Sequence, residues 1–238
     1  MNSDNLQNTL YNLTQSGTLT NPAYNTLLHD YTKYHAVFFI EGGVFALILI
    51  VLSVYFWRRF KRMQHAETRG WTFEKKTYFC FGLVSTVAAL LMLLIVAANL
   101  SNVLNPRDGF AQSIPDLGTP QAGTQKDELY QAVNVWVQSG GPNMPPILQN
   151  EVRNRLSWQL PKAIICSILF VVFAIFTVRI WQKLIKISRA SESMWSLKEK
   201  TLITTGVMAV PASLLLMIMA LANTQASFAP ITLTLLFS

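Results

Sequence analysis

One acidic residue lies inside a long apolar run of the sequence, where a charged side chain requires a chemical explanation. Glu41 lies about two helical turns into the run from Tyr34 to Trp57 and is followed by Gly42 and Gly43. A carboxylate is costly in hydrocarbon, so it marks an ion or proton site or a polar contact between helices. We favour an interfacial or inter-subunit hydrogen bond, because water can reach a side chain near the end of a span.

Two amides and four tryptophans occupy matching places in the two halves of the chain. Asn99 and Asn223 each close an apolar run, where an amide caps a helix or pairs with another helix. The four tryptophans flank two basic stretches at identical spacing, which is typical of aromatic anchors at a membrane interface. They are Trp57, Trp71, Trp181 and Trp195.

Other residue types give little support for catalysis or for a bound cofactor or metal. The three histidines, His29, His35 and His65, are spaced so that they predict neither a metal triad nor paired haem ligands. The two cysteines, Cys80 and Cys166, lie in apolar runs and behave as small hydrophobic residues. We therefore expect no enzyme and no cofactor. A lipid-acting enzyme, the weakest alternative, would have to use Asp30, His35 and Glu41.

The elements that position these residues are four apolar runs, each about 20 residues long. The runs are 34–57, 78–100, 161–181 and 201–223, and hydrophobic residues make up 51% of the chain. A run of this length crosses the bilayer as a helix, because no water is present to satisfy its backbone. The sequence predicts an all-α integral membrane protein with four transmembrane helices.

Charge predicts the topology. Of the 19 basic residues, 13 lie in or beside the loops 58–76 and 182–200. By the positive-inside rule both loops are cytoplasmic, and the two termini and the middle loop are extracytoplasmic. This distribution argues against a nucleic-acid partner and is compatible with binding of anionic membrane lipids. We expect no signal peptide, and together with the basic loops this favours a bacterial inner membrane.

An internal repeat organises the chain. Residues 57–106 and 181–230 share 12 identities at an offset of 124 residues without gaps. Similar short helices precede each pair of runs, from about Asp4 and Asp127, and a further short helix is expected from Pro22 to about His35. The sequence thus predicts two tandem hairpin repeats, 1–110 and 124–238, joined by a Pro/Gly-rich linker, 111–123. Both hairpins have the same orientation, and short helical caps lie on the extracytoplasmic side.

These observations lead to two hypotheses about function. The preferred one is a non-enzymatic subunit or scaffold of a larger membrane assembly, such as secretion or envelope machinery, with other membrane proteins or further copies of itself as partners. The alternative is a channel formed by a homo-oligomer, with a ring of Glu41 carboxylates near its outer mouth.

Overall fold

The computed structural model describes residues 4–16, 20–64, 71–190 and 196–236. Within these ranges the chain is helical and contains no strand, which confirms the all-α prediction. One short 3-10 helix, Ile114–Leu117, accompanies the α-helices. The α-helices are α1 (Asp4–Ser16), α2 (Pro22–Gln64), α3 (Phe73–Leu104), α4 (Pro106–Ser113), α5 (Gln125–Ser139), α6 (Pro146–Ala190), α7 (Leu197–Phe228) and α8 (Pro230–Leu236).

Four of these helices, α2, α3, α6 and α7, are long and apolar enough to cross a membrane. They contain the four runs that the sequence predicts as spans, and they support a multi-pass membrane protein. Their apolar faces are widely exposed, as at Leu94, which is 69% exposed, and Val51, which is 66% exposed. Such faces suit contact with lipid or with other membrane helices.

The helix boundaries differ from the predicted ones at the first and third spans. The short helix expected from Pro22 and the span that follows it form one uninterrupted helix, α2, which is 43 residues long. No proline interrupts the chain between Pro22 and Gln64, so nothing breaks the helix. The third span likewise belongs to the longer α6, which begins at Pro146 and continues through Pro161.

Local sequence explains how several helices begin and end. Proline is the first residue of α2, α4, α6 and α8, where its missing N–H costs nothing. The Asn21 side chain accepts a hydrogen bond from the Tyr24 N–H at 2.9 Å and so caps α2. Thr124 caps α5 by accepting a bond from the Asp127 N–H, and Gly140 ends α5 with a positive φ of 64°.

The chain divides into two compact units that do not coincide with the proposed sequence repeats. Unit 1 contains described residues of 1–39, 97–162 and 222–238, and unit 2 contains those of 40–96 and 163–221. Each unit therefore takes segments from both halves of the sequence.

Unit 1 has a hydrophobic core of the kind found in soluble helical domains. Tyr24, Tyr130, Val133 and Leu148 are at most 1% exposed there. Residues of α1, α2, α4, the 3-10 helix, α5, α6 and α8 meet in this core. The sequence predicted only small helical caps, so the extent of this core is a finding of the structure.

Unit 2 contains the C-terminal parts of α2 and α6 and the N-terminal parts of α3 and α7, and small residues are buried among them. Ala46, Ala89 and Ala209 are at most 5% exposed, and Gly82 and Gly206 are buried. Helices pack in lipid through such small residues, which allow close approach of the backbones.

Candidate functional site

The structure gives Glu41 no partner within the part of the chain that it describes. Glu41 lies on α2 in unit 2 with a half-buried side chain, and no hydrogen bond or ion pair joins it to another described residue. The neighbouring Ile40 and Val44 are 62% and 53% exposed. A carboxyl group of a membrane helix is thus left on a mostly apolar, accessible face.

Asn99, by contrast, bonds to a neighbouring helix. Its Oδ1 lies 2.8 Å from Nδ1 of His35 on α2, and the amide nitrogen of Asn102 lies 3.3 Å from the same Nδ1. Nδ1 cannot donate to Asn99 and accept from Asn102 at once, so the shorter contact favours the tautomer protonated at Nδ1. Helix α3 continues to Leu104, so Asn99 does not occupy the capping position that the sequence suggested.

Asn223 makes the corresponding contact in the other half of the chain. Gln159 of α6 donates a hydrogen bond to its Oδ1 at 2.9 Å. Gln159 lies 124 residues after His35, and Asn223 lies 124 residues after Asn99. The first contact joins α2 to α3, and the second joins α6 to α7 at the positions related by this offset. Glutamine takes the place of histidine in the second contact.

Trp57 and Trp181 pack against glycines as well as standing near the ends of the apolar runs. The Trp57 Nε1 donates to the Thr86 hydroxyl at 3.0 Å, and the Trp181 Nε1 donates to the Gly206 carbonyl at 3.2 Å. A Cβ added at Gly82 would lie 3.2 Å from the Trp57 indole, and one added at Gly206 would lie 3.2 Å from that of Trp181. These indoles therefore join neighbouring helices.

Trp71, another tryptophan of the predicted set, differs from this pair. Trp71 precedes α3, is 52% exposed, and packs its ring against Phe60 and Phe79. Trp195 and the histidine at position 65 lie outside the described residues.

Unit 1 contains a polar groove that the sequence analysis did not predict. The groove has a volume of about 340 Å³ and is lined by side chains from α2, α3, α4, the 3-10 helix and α8. Tyr31, Tyr34, His35, Asn102, Gln112 and Asp116 are among them. These residues lie between positions 31 and 116, and Thr232, near the C-terminus, also lines the groove. Because they are far apart in the sequence, no local motif predicts the groove.

Ser113 and His35 both line the polar groove but bond to different partners. The Ser113 hydroxyl donates to the Phe110 carbonyl at 2.8 Å and makes no bond to His35, so no nucleophile and base are paired there. Asp116 is the charged residue that lines the groove. Among the described residues, no cluster of three or more His, Cys, Asp or Glu side chains could hold a metal.

A buried carboxylate fixes one wall of the polar groove. Asp30 of α2 accepts hydrogen bonds from the Thr232 N–H at 2.6 Å and from the Thr232 hydroxyl at 2.8 Å. Thr232 in turn lines the groove. Asp30, which the sequence analysis considered only for a lipid-acting enzyme, is thus engaged in holding α8 against α2.

The four apolar helices support a multi-pass helical membrane protein, and the chain divides into two compact units. Comparison of the chain with protein-family models, with curated proteins and with solved structures found no match. The function has to be argued from the residues themselves.

Proposed function

We propose that this protein is a non-enzymatic integral membrane subunit or scaffold of a larger membrane-embedded assembly, such as secretion or envelope machinery. The observation that carries the proposal is the Glu41 carboxyl, which has no partner among the described residues. Polar groups in membrane helices are normally satisfied by another polar group. A second protein chain beside α2 supplies such a partner.

The surroundings of Glu41 support a helix of another chain as the partner. A Cβ added at Gly43 would meet no atom within 4 Å, so this part of α2 is open to close approach. Small residues at such places let two helix backbones approach each other. The exposed Ile40 and Val44 supply apolar contact on either side of the carboxyl.

The alternative is a homo-oligomeric channel, in which the partner of Glu41 is the same residue of further copies. A ring of carboxylates would select cations. In that case Glu41→Gln changes the cation selectivity of the reconstituted protein, whereas a scaffold conducts no current with either residue.

We also propose that the chain arose by tandem duplication of a hairpin unit. Helices α2 and α6 begin 124 residues apart, as do α3 and α7 and also α4 and α8. The amide contacts of Asn99 and Asn223 and the Trp–Gly contacts recur at the same offset. The proposed topology places the basic loops 58–76 and 182–200 in the cytoplasm of a bacterium and both termini outside its inner membrane.

The test of the subunit proposal is native mass spectrometry of the tagged protein, extracted gently from its own membrane. We expect a hetero-complex of fixed stoichiometry whose abundance falls several-fold in Glu41→Leu and is largely kept in Glu41→Gln, which retains hydrogen bonding. Val51→Leu, on the exposed apolar surface, is the matched control and should leave the complex intact.

Two outcomes would count against the subunit proposal. A closed homo-oligomer without other proteins would favour the channel. A monomer with or without the carboxyl would contradict both assemblies.

A further inference from the structure

We infer that unit 2 holds an anionic phospholipid, with an acyl chain in a cavity between α2, α3 and α6 and its phosphate beside Arg59 and Arg189. This inference does not depend on the proposed function, because it uses neither Glu41 nor the polar groove. It rests on a cavity, on its position along the helices and on the charges beside it.

The cavity has a volume of about 220 Å³ and predominantly apolar walls. Residues of α2, the beginning of α3 and α6 line it, including Tyr55, Tyr78, Phe81, Val178, Trp181 and Ile185. Phe81 and Trp181 meet edge to face, with ring centroids 4.9 Å apart, and form one wall. The walls therefore offer aromatic and aliphatic surface to an occupant.

Hydrocarbon is the expected occupant of such a space. Apolar cavities of about 150 Å³ stay dry and accept a molecule as large as benzene. This cavity is larger, and it is bounded by helices that are apolar enough to cross a bilayer. In a membrane the neighbouring molecules are lipids, so an acyl chain fills the space with no water to displace.

Two arginines lie beside the cavity. The Arg59 guanidinium carbon lies 5.6 Å from the ring centroid of Tyr55, a residue of the cavity wall. Arg189 follows Ile185, a residue of the cavity wall, by one helical turn on α6 and bonds to Glu74, which precedes the wall residue Thr77 by three residues on α3. Both positive charges therefore lie about one helical turn from the cavity wall.

The arginines retain capacity for a phosphate. Arg189 donates through Nε to Glu74 at 2.8 Å and through a second nitrogen, which leaves its other terminal nitrogen for another acceptor. Arg59 forms no ion pair with any residue that the structure describes. With one carboxylate against two guanidinium groups, the cluster has a net charge of +1 and favours an anionic headgroup over a zwitterionic one.

The charge requirement is tested by reconstituting the full chain with phosphatidylglycerol or phosphatidylcholine whose acyl chains carry bromine, which quenches nearby tryptophan. The Trp181 signal is taken as the difference from Trp181→Phe. We expect phosphatidylglycerol to quench at about fivefold lower mole fraction, the factor for one favourable charge of about 1 kcal/mol at a membrane surface. Arg59→Gln should remove this preference, and Arg58→Gln, the matched control, should keep it.

The cavity requirement is tested by the lipid retained on the protein in native mass spectrometry. Val178→Trp places an indole at the cavity wall and should abolish the bound phosphatidylglycerol. Val172→Trp, a similarly exposed residue of α6 away from the cavity, should retain it. Equal quenching by the two lipids in the wild-type protein, or a retained lipid in Val178→Trp, would overturn the inference.

Discussion

At the scale of single residues, polar side chains in the long helices are joined in pairs across neighbouring helices. Ser53 and Thr86 hydroxyls are 2.6 Å apart, and Thr177 and Ser213 hydroxyls are 3.1 Å apart. Such contacts contribute on the order of 0.6 kcal/mol each in a membrane protein. Glu41 differs from these residues, and this contrast makes its carboxyl informative.

Tyr130 shows how one polar atom can hold three segments of unit 1. Its hydroxyl lies 2.7 Å from the carbonyl oxygen of Leu117 and 2.8 Å from that of Leu235, and can donate its proton to either. Tyr130→Phe should lower the free energy of unfolding by about 1 to 2 kcal/mol, because two buried carbonyls lose the one donor that they share. The midpoint of thermal unfolding in detergent measures the change.

Tyr11→Phe is the control for this substitution, since Tyr11 is 49% exposed and its phenol can bond to water. An equal loss of stability in both variants would contradict the role assigned to the Tyr130 hydroxyl.

The same residue gives a pH dependence of stability. Burial raises the pKa of Tyr130 to about 12, above the value of about 10 for a free phenol. The unfolded chain then loses this proton first, so stability is fully present below pH 10 and declines between about pH 10 and 12. This part of the decline should be missing in Tyr130→Phe.

At the scale of helices, two glycines determine how closely the helices of unit 2 approach. Gly82 faces the Trp57 indole, and Gly206 faces Trp181 and Ile180, whose Cγ2 would lie 3.0 Å from an added Cβ. The hydrogen bond from Trp181 to the Gly206 carbonyl limits how far that indole can move away. Each contact therefore depends on the absence of a side chain.

Gly82→Ala and Gly206→Ala should therefore destabilise the protein, although alanine favours a helix by about 1 kcal/mol over glycine. Gly43→Ala is the matched control, because its Cβ meets no atom within 4 Å. It should be neutral or stabilising by up to about 1 kcal/mol. The unfolding midpoints of the three variants, measured in one detergent, test this prediction. A gain of stability in Gly206→Ala equal to that in Gly43→Ala would rule out the close contact.

At the scale of the whole molecule, an ion pair joins segments that are far apart in sequence. Arg189, in the last turn of α6, bonds Glu74, in the first turn of α3, across 115 residues. The Glu74 side chain is only 12% exposed, whereas that of Arg189 is 58% exposed. Removal of the arginine would leave a mostly buried carboxylate without its charge partner.

Arg189→Ala should cost about 1 to 3 kcal/mol of stability, the range for a buried polar group that loses its partner. Arg179→Ala, on the same helix and exposed, should change stability by less than about 0.5 kcal/mol. The exchanged pair Glu74→Arg with Arg189→Glu should recover part of the loss, as measured by a double-mutant cycle of unfolding midpoints. No recovery would show that the arginine acts through packing alone.

Parts of this architecture were predictable because they depend on local pattern. Four apolar runs of about 20 residues predict four membrane helices, and these runs lie in α2, α3, α6 and α7. The full extents of α2 and α6 were not predicted. Their N-terminal parts are polar enough to resemble separate helices, whereas the structure shows each of them to be continuous with the span that follows.

The sites were less predictable than the spans. Glu41 was singled out because a charge in an apolar run is visible without knowledge of the fold. The polar groove was missed because Tyr31, Asn102, Asp116 and Thr232 lie in separate segments. The two arginines beside the apolar cavity were missed for the same reason, since Arg59 belongs to α2 and Arg189 to α6.

The sequence by itself determined the helical class, the four segments that are long and apolar enough to cross a membrane, and the unusual position of Glu41. These features follow from hydrophobicity and period along a short stretch. Tertiary structure alone decided that the compact units combine both halves of the chain and that His35 meets Asn99. It alone decided that Glu74 pairs with Arg189. Such contacts depend on how distant segments pack, and no local pattern encodes the distance between them.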